Sequence, residues 1–313
     1  MLLAHDISGT GPAVLLLHST VADRRMWDPQ VPALTAAGHQ VVRCDLRGYG
    51  ESPIPIGADW DEADDVAALL DSLGITRTAI IAASGGGRVA LEFAVRWPDR
   101  VASLALLCTA LRGHEPSAAL REFGDSEDTL LEAGDVAGAT DLNVNLWLGP
   151  EAGEDQKSLV RTMQRNAFDV QLAAEEAAPA EQSEAQPAAA LDTTSAAAAL
   201  DTTSGAVTLD TTSEAAASAA DEPQDAAAQS PAKPASDADR EPAAAFASIT
   251  APTLLISGAH DLPDFHEIAV QLVKTLPHAR HQELSWAGHL PNLERPDLLN
   301  PILTAFLADP AKR

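Results

Sequence analysis

Aromatic residues are scarce in this 313-residue chain, at 4% with a single tyrosine, while hydrophobic residues as a whole reach 46%. The apolar content is ample for a large core without metal or disulfide support. Heavy use of alanine marks the chain as part core and part padding. Basic residues are also few: 20 Lys and Arg stand against 46 Asp and Glu, for a formal charge of -26. Such a surface repels nucleic acid phosphates and anionic membranes, so neither is expected as a partner. Only two cysteines are present, Cys44 and Cys108, each within an apolar strand-like run. They lack CxxC or Cys/His zinc spacing and read as buried, reduced thiols. No run approaches the roughly 18–20 apolar residues of a membrane span. The N-terminal MLLAHDISGTGPAVLLLH has no basic leader region, so the expected location is cytoplasmic.

What is present is an alternation. Ala13–His18, Gln40–Leu46, Ala79–Ser84 and Val101–Cys108 are nearly continuous apolar runs, as buried parallel strands require. Between them Trp27–Ala37, Asp61–Leu73 and Gly86–Trp97 read as helices. In the second, Val66, Leu69, Leu70 and Leu73 share a face, and Gly74 supplies the stop. The pattern returns with strands at Pro252–Ser257 and Arg280–Trp286 and helices at Phe265–Leu276 and Pro296–Leu307. This order predicts an α/β fold, a doubly wound and mostly parallel sheet. Residues 1–110 and 249–313 form its core.

An insertion separates the two parts. Residues 111–172 are expected to be helical, with Leu120, Leu130, Leu131, Val144, Leu146, Trp147, Met163, Phe168 and Leu172 spaced like packed faces. Residues 173–248 turn to Ala, Glu, Asp, Ser, Thr, Pro and Gln. The pentapeptide LDTTS recurs at 191–195, 200–204 and 209–213. So little large apolar surface cannot offset ordering entropy, and this stretch is expected to be disordered. The repeat reads as neutral expansion of a tolerated loop ahead of a recognition or modification tract.

The densest chemical signal is Ala79-Ile80-Ile81-Ala82-Ala83-Ser84-Gly85-Gly86-Gly87 followed by a helix. A buried strand ends at Ser84 and a helix begins at once, which is the geometry of a nucleophile elbow. The turn crowds the positions two before and two after the serine, so both must be small; Ala82 and Gly86 are. A phosphate-binding loop is the rival, but no GK[ST] follows and GGGR does not match G-x-G-x-x-G. Serine needs a base. His289, in Trp286-Ala287-Gly288-His289, follows a strand at the edge where open sheets bind ligands, with His260 and His266 as fallbacks. The base needs a carboxylate. Asp261 ends Gly258-Ala259-His260-Asp261 just past another strand, with Asp264 as its rival. Oxyanion donors are expected from the Gly85 amide and from the loop His18-Ser19-Thr20, through the Thr20 amide or that of Ser19. His18 is read as structural, bracing that loop.

Over residues 1–110 and 249–309 the chain resembles the α/β-hydrolase superfamily, in the branch of small esterases and enol-lactonases. The resemblance rests on His18-Ser19-Thr20, Asp45-Leu46-Arg47-Gly48-Tyr49-Gly50-Glu51-Ser52, the elbow, Gly258-Ala259-His260-Asp261 and Gly288-His289. The chain order Ser84, Asp261, His289 is that of the superfamily. Three departures stand out: His18-Ser19 replaces a histidine-glycine pair, Ala82 replaces the elbow's first glycine, and the first family strand is short or missing. The resemblance implies a helical cap across the insertion and a scaffold role for the Asp45 stretch. It also implies hydrolysis of a small ester or lactone through an acyl-enzyme on Ser84, with no cofactor and no metal. Trp147, Met163 and Phe168 are candidates for an apolar substrate wall or for the cap's own core. Carbon–carbon bond hydrolysis, peroxyacid formation and a catalytically silent binding role share the scaffold. Dehalogenation and epoxide opening by the fold's usual route need Asp where Ser84 stands. Oligomeric state is not set by these features.

Overall fold

The computed structural model describes residues 1–177 and 243–308. The LDTTS repeats, and most of the stretch expected to be disordered, lie outside the described residues. Seven strands form one sheet: β1 (His5–Ser8), β2 (Ala13–Leu17), β3 (Gln40–Cys44), β4 (Thr78–Ala83), β5 (Val101–Leu107), β6 (Thr253–Gly258) and β7 (Ala279–Leu284). Their spatial order is β1-β3-β2-β4-β5-β6-β7. All neighbours are parallel except β1, which pairs antiparallel with β3 at the edge. The first family strand is therefore present but short, at four residues.

Continuity of apolar residues follows from this layering. Every residue of β4 and β6 is buried, because helices cover both faces of the sheet. The covering helices are α1 (Val31–Ala36), α2 (Glu62–Ser72), α3 (Gly85–Arg96), α8 (Pro263–Thr275) and α10 (Pro296–Ala308). The expected Trp27–Ala37 helix is in fact two pieces, a 3-10 turn at Arg24–Trp27 and then α1. Pro29 lies within the break and Pro32 is the second residue of α1, so neither lends an N–H to a continuous ladder. α2 starts on an Asp61 side-chain cap and buries Val66, Leu69 and Leu70. Gly74 follows with a positive φ.

Between β5 and β6 lie α4 (Ala118–Glu132), α5 (Val136–Trp147), α6 (Glu154–Ala177) and the short α7 (Ala243–Phe246). α4 and α5 carry side-chain N-caps from Ser117 and Asp135. The buried face of α4 is Leu120, Phe123, Gly124 and Glu127, whereas Leu130 and Leu131, expected to pack, are only half-buried. α6 rests on the loop after β3, where Asn166 Nδ2 donates to the Gly50 carbonyl (3.3 Å) and Gln171 Nε2 to that of Gly48 (3.2 Å). The end of α5 touches the loop after β7, where the His289 N–H donates to the Trp147 carbonyl (3.1 Å). These contacts seat the helical layer over the carboxyl ends of the strands. No helix among the described residues is long and apolar enough to cross a membrane.

Candidate active site

Ser84 stands between β4 and α3 with φ 50° and ψ −120°. L-residues rarely adopt this conformation, and it persists only where surroundings over-determine it. They do so here. The Ser84 N–H donates to the Leu107 carbonyl (2.9 Å), and the Ala110 N–H donates to the Ser84 carbonyl (3.0 Å). A side chain at Gly86 would place its Cβ 2.4 Å from the His18 carbonyl oxygen and 2.8 Å from Leu17 backbone atoms. Glycine there lets α3 leave the sheet directly against the end of β2.

The next strand carries the site sideways. In register with Ser84 lies Cys108, whose N–H donates to the Ile256 carbonyl (2.7 Å) and ties the end of β5 to β6. Past the end of β6, Asp261 meets the loop after β7: Asp261 Oδ2 and His289 Nδ1 are 2.7 Å apart. Both side chains are 2% exposed. Asp261 Oδ1 accepts the Leu262 N–H at 2.8 Å, which fixes the carboxylate plane. Ser84 reaches the same sheet edge, but its hydroxyl has no hydrogen-bond partner among the described residues, the imidazole included.

The rivals are accounted for elsewhere. Asp264 accepts from the Ser117 N–H (2.7 Å) and meets His114 Nε2 (3.2 Å), so it anchors the entry to α4. Burial would raise its pKa, but the contacts with Ser117 and His114 outweigh burial and lower it. His266 pairs with Glu283 at 2.7 Å, and His260 is exposed. His18 is buried and held at both nitrogens: Nδ1 is 2.8 Å from the Ser19 carbonyl, so it donates there, and Nε2 accepts the Leu46 N–H at 2.9 Å. Burial lowers its pKa, in keeping with a neutral ring that braces the loop.

That loop presents the expected oxyanion donors. The Ser19 N–H points to Met26 Sδ (3.3 Å), whereas the Thr20 N–H has no acceptor among the described residues. A Cβ on Gly85 would lie 2.5 Å from Thr20 Cγ2, so the loop and the elbow are in contact. Gly85 opens α3, where N–H groups have no intrahelical acceptor.

Several neighbours were not foreseen from sequence. Phe265 lies edge-on to His289 with ring centroids 4.2 Å apart, and Trp147, already a substrate-wall candidate, is tilted against the same ring at 4.5 Å. Glu294, in the short helix α9 (Pro291–Glu294), accepts the N–H groups of Gly288 (2.8 Å) and Leu290 (3.2 Å) on either side of His289. The single acidic residue in Leu290-Pro291-Asn292-Leu293-Glu294 was the available signal. Cys108, Asp261 and His289 each offer one possible ligand atom within 4.8 Å of the others. Burial, with Asp261 adding to it, holds the Cys108 thiol well above its ordinary range. A protonated thiol is a poor metal ligand.

Of the substrate-wall candidates, Trp147 and Phe168 line a cavity of about 20 Å³ beside Thr20, whereas Met163 is buried in the core and does not line it. The arrangement of strained serine, buried imidazole–carboxylate pair and seven-stranded sheet now meets its comparisons. Residues 12–132 match the family described as alpha/beta hydrolase fold. The chain has the α/β-hydrolase fold.

The chain superposes on an esterase from Thermogutta terrifontis with a TM-score of 0.68 at 23% identity, covering 97% of this chain and 92% of that one. It superposes on the enol-lactonase from Burkholderia xenovorans LB400 with 0.65 at 22% identity, covering 98% and 96%. At these identities the likeness is one of fold. In sequence, it is 39% identical over 108 residues to a fluoroacetate dehalogenase from a Burkholderia species, 32% of this chain and 35% of that protein. The first three curated relatives are matched over only 21% to 42% of their own length.

Proposed function

We infer that this α/β hydrolase cleaves a carboxylic ester or lactone by two-step acyl transfer on Ser84. The observation that carries the reading is the buried Asp261–His289 pair, 2.7 Å apart, at the sheet edge where the strained Ser84 turn emerges. With Nδ1 of His289 donating to Asp261, Nε2 is left as the basic nitrogen. His289 takes the Ser84 proton as the hydroxyl attacks the carbonyl, a contact that closes once substrate is bound. The amides of Gly85 and Thr20 stabilise the oxyanion, each contributing about 3–4 kcal/mol to the barrier. His289 then protonates the leaving alkoxide and activates water to release the acid. No step calls for a metal or organic cofactor. Residues 1–110 and 249–313 serve as the catalytic core, and 111–172 act as a cap that sets substrate choice, with Trp147 and Phe168 facing the cavity.

Ser84 separates this reading from those of dehalogenase-like and epoxide-hydrolase-like relatives, since a serine ester intermediate requires a hydroxyl nucleophile. A fluorophosphonate probe should label the wild type at Ser84, and Ser84→Ala should lose both labelling and turnover of a short-chain p-nitrophenyl ester. Undiminished turnover in Ser84→Ala would end the proposal.

A further inference from the structure

The cavity beside Thr20 has an unexpectedly polar roof. α4, α5 and α6 send polar side chains into it: Glu127, Asn143 and Gln164, exposed by 5%, 1% and 4%, with the half-buried Gln171 of α6 beside them. Three helices placing three buried polar groups around one small space is not what a purely apolar wall requires. Asn143 is fully committed. Its Nδ2 donates to Glu127 Oε1 and to the Ala139 carbonyl (3.0 Å), while its Oδ1 accepts the Trp147 indole N–H (3.0 Å). Gln164 Oε1 is buried with no partner among the described residues. Burying an acceptor without a donor is costly, so such a group persists where something supplies the missing hydrogen.

The unmet demand is therefore for a donor. Glu127 and Gln164 both offer oxygen, and the amide hydrogens of Asn143 are already spent. A substrate carboxylate would leave Gln164 Oε1 without its donor and set a second acid beside the Glu127 carboxyl, and a bulky apolar group would leave Gln164 unpartnered. A space of about 20 Å³ admits one water-sized group. Trp147, which holds Asn143 on one side and lies against His289 on the other, ties this space to the reacting centre.

We propose that Glu127, Asn143 and Gln164 form a specificity subsite for a hydroxyl group on the substrate, which donates a hydrogen bond to the Gln164 amide oxygen. The proposal rests on the ester or lactone hydrolase reading and names the substrate class for that site: hydroxylated esters or lactones.

The test compares kcat/KM for two pairs of p-nitrophenyl esters in which a hydroxyl replaces a methyl group. One pair is 3-hydroxybutanoate and 3-methylbutanoate; the other is 6-hydroxyhexanoate and heptanoate. Each ratio is corrected for the esters' spontaneous hydrolysis. The wild type should favour the hydroxyl member of at least one pair by about tenfold or more, because a site built for a hydroxyl strongly rejects the analogue lacking it. Gln164→Met keeps the shape, removes the acceptor and should bring that ratio close to one. Glu127→Gln puts a competing donor into the same space and should lower the ratio as well, which keeps the test decisive if Gln164→Met does not fold. A wild type with no hydroxyl preference in either pair, or a preference that survives both substitutions, overturns the subsite and leaves the serine hydrolase reading standing. Failure of the wild type to turn over any of the four esters overturns the hydrolase reading and the subsite with it.

Discussion

Glu127 has no cationic partner among the described residues, and burial, eased by the Asn143 amide and reinforced by the charge of Asp128, raises its pKa to about 7. The consequence for stability has a definite sign. Between pH about 4.5 and about 7 the folded chain holds a proton that the unfolded chain has released, so stability falls as pH rises through that window. At pH 8 the full penalty is present, on the order of 3 kcal/mol. Glu127→Gln keeps an oxygen for Asn143 and removes the titration. Its melting temperature should match that of the wild type near pH 4.5 and exceed it at pH 8. An equal offset at both values would show that Glu127 does not titrate in that window. This residue also marks where sequence reading stopped. The buried face of α4 follows helical spacing through Leu120, Phe123, Gly124 and Glu127, but a carboxylate on the apolar stripe breaks the hydrophobic pattern. The leucines at 130 and 131 then look like the better packing residues. The strand-to-helix turn at Ser84, by contrast, was legible, because an apolar strand that runs into three glycines opens a helix directly.

At the scale of elements, the imidazole depends on a loop held by the helix that follows it. Glu294 in α9 is buried and accepts the amides on both sides of His289, with its own pKa raised by burial and countered by those donors. Glu294→Ala leaves both N–H groups without their acceptor, at a cost of roughly 1–3 kcal/mol each. On the acyl-transfer proposal a freed loop misplaces the base, and an error of about 1 Å in such a group can cost about a hundredfold in rate. The expected result is a lower melting temperature and a fall in kcat of about ten- to a hundredfold, with KM for a neutral ester little changed and partial recovery in Glu294→Gln. A rise in KM at unchanged kcat would place Glu294 in substrate binding instead. α9 escaped detection because four residues between two prolines give no periodicity to read. The six parallel strands and the longer helices were found because buried parallel strands and amphipathic helices write their periods over longer spans. Phe265 was hidden for another reason: its place against His289 is set by where α8 meets the loop after β7, a contact that no local pattern encodes.

For the whole molecule, the excess of acidic over basic side chains, 46 against 20, gives the chain a negative long-range field. This property was fully legible in composition, since net charge needs no fold. The geometry adds where the field acts: the Asp261–His289 pair is buried at the carboxyl edge, so substrate must cross the charged surface to reach it. Long-range repulsion slows the approach of an anion without affecting a neutral molecule of the same size. The Debye length shrinks from about 30 Å at roughly 0.01 M salt to about 8 Å at roughly 0.15 M, so added salt should relieve the anion selectively. If the ester hydrolase reading holds, kcat/KM for p-nitrophenyl hemisuccinate should rise several-fold between those concentrations while that for p-nitrophenyl pentanoate stays level. Equal salt responses for the two esters would mean that local groups, and not the summed charge of the chain, govern entry. Because neither Glu127 nor Gln164 supplies a cation, the anionic ester should remain the poorer substrate even at high salt. Its residual deficit then measures what the roof of the site contributes once the field has been screened away.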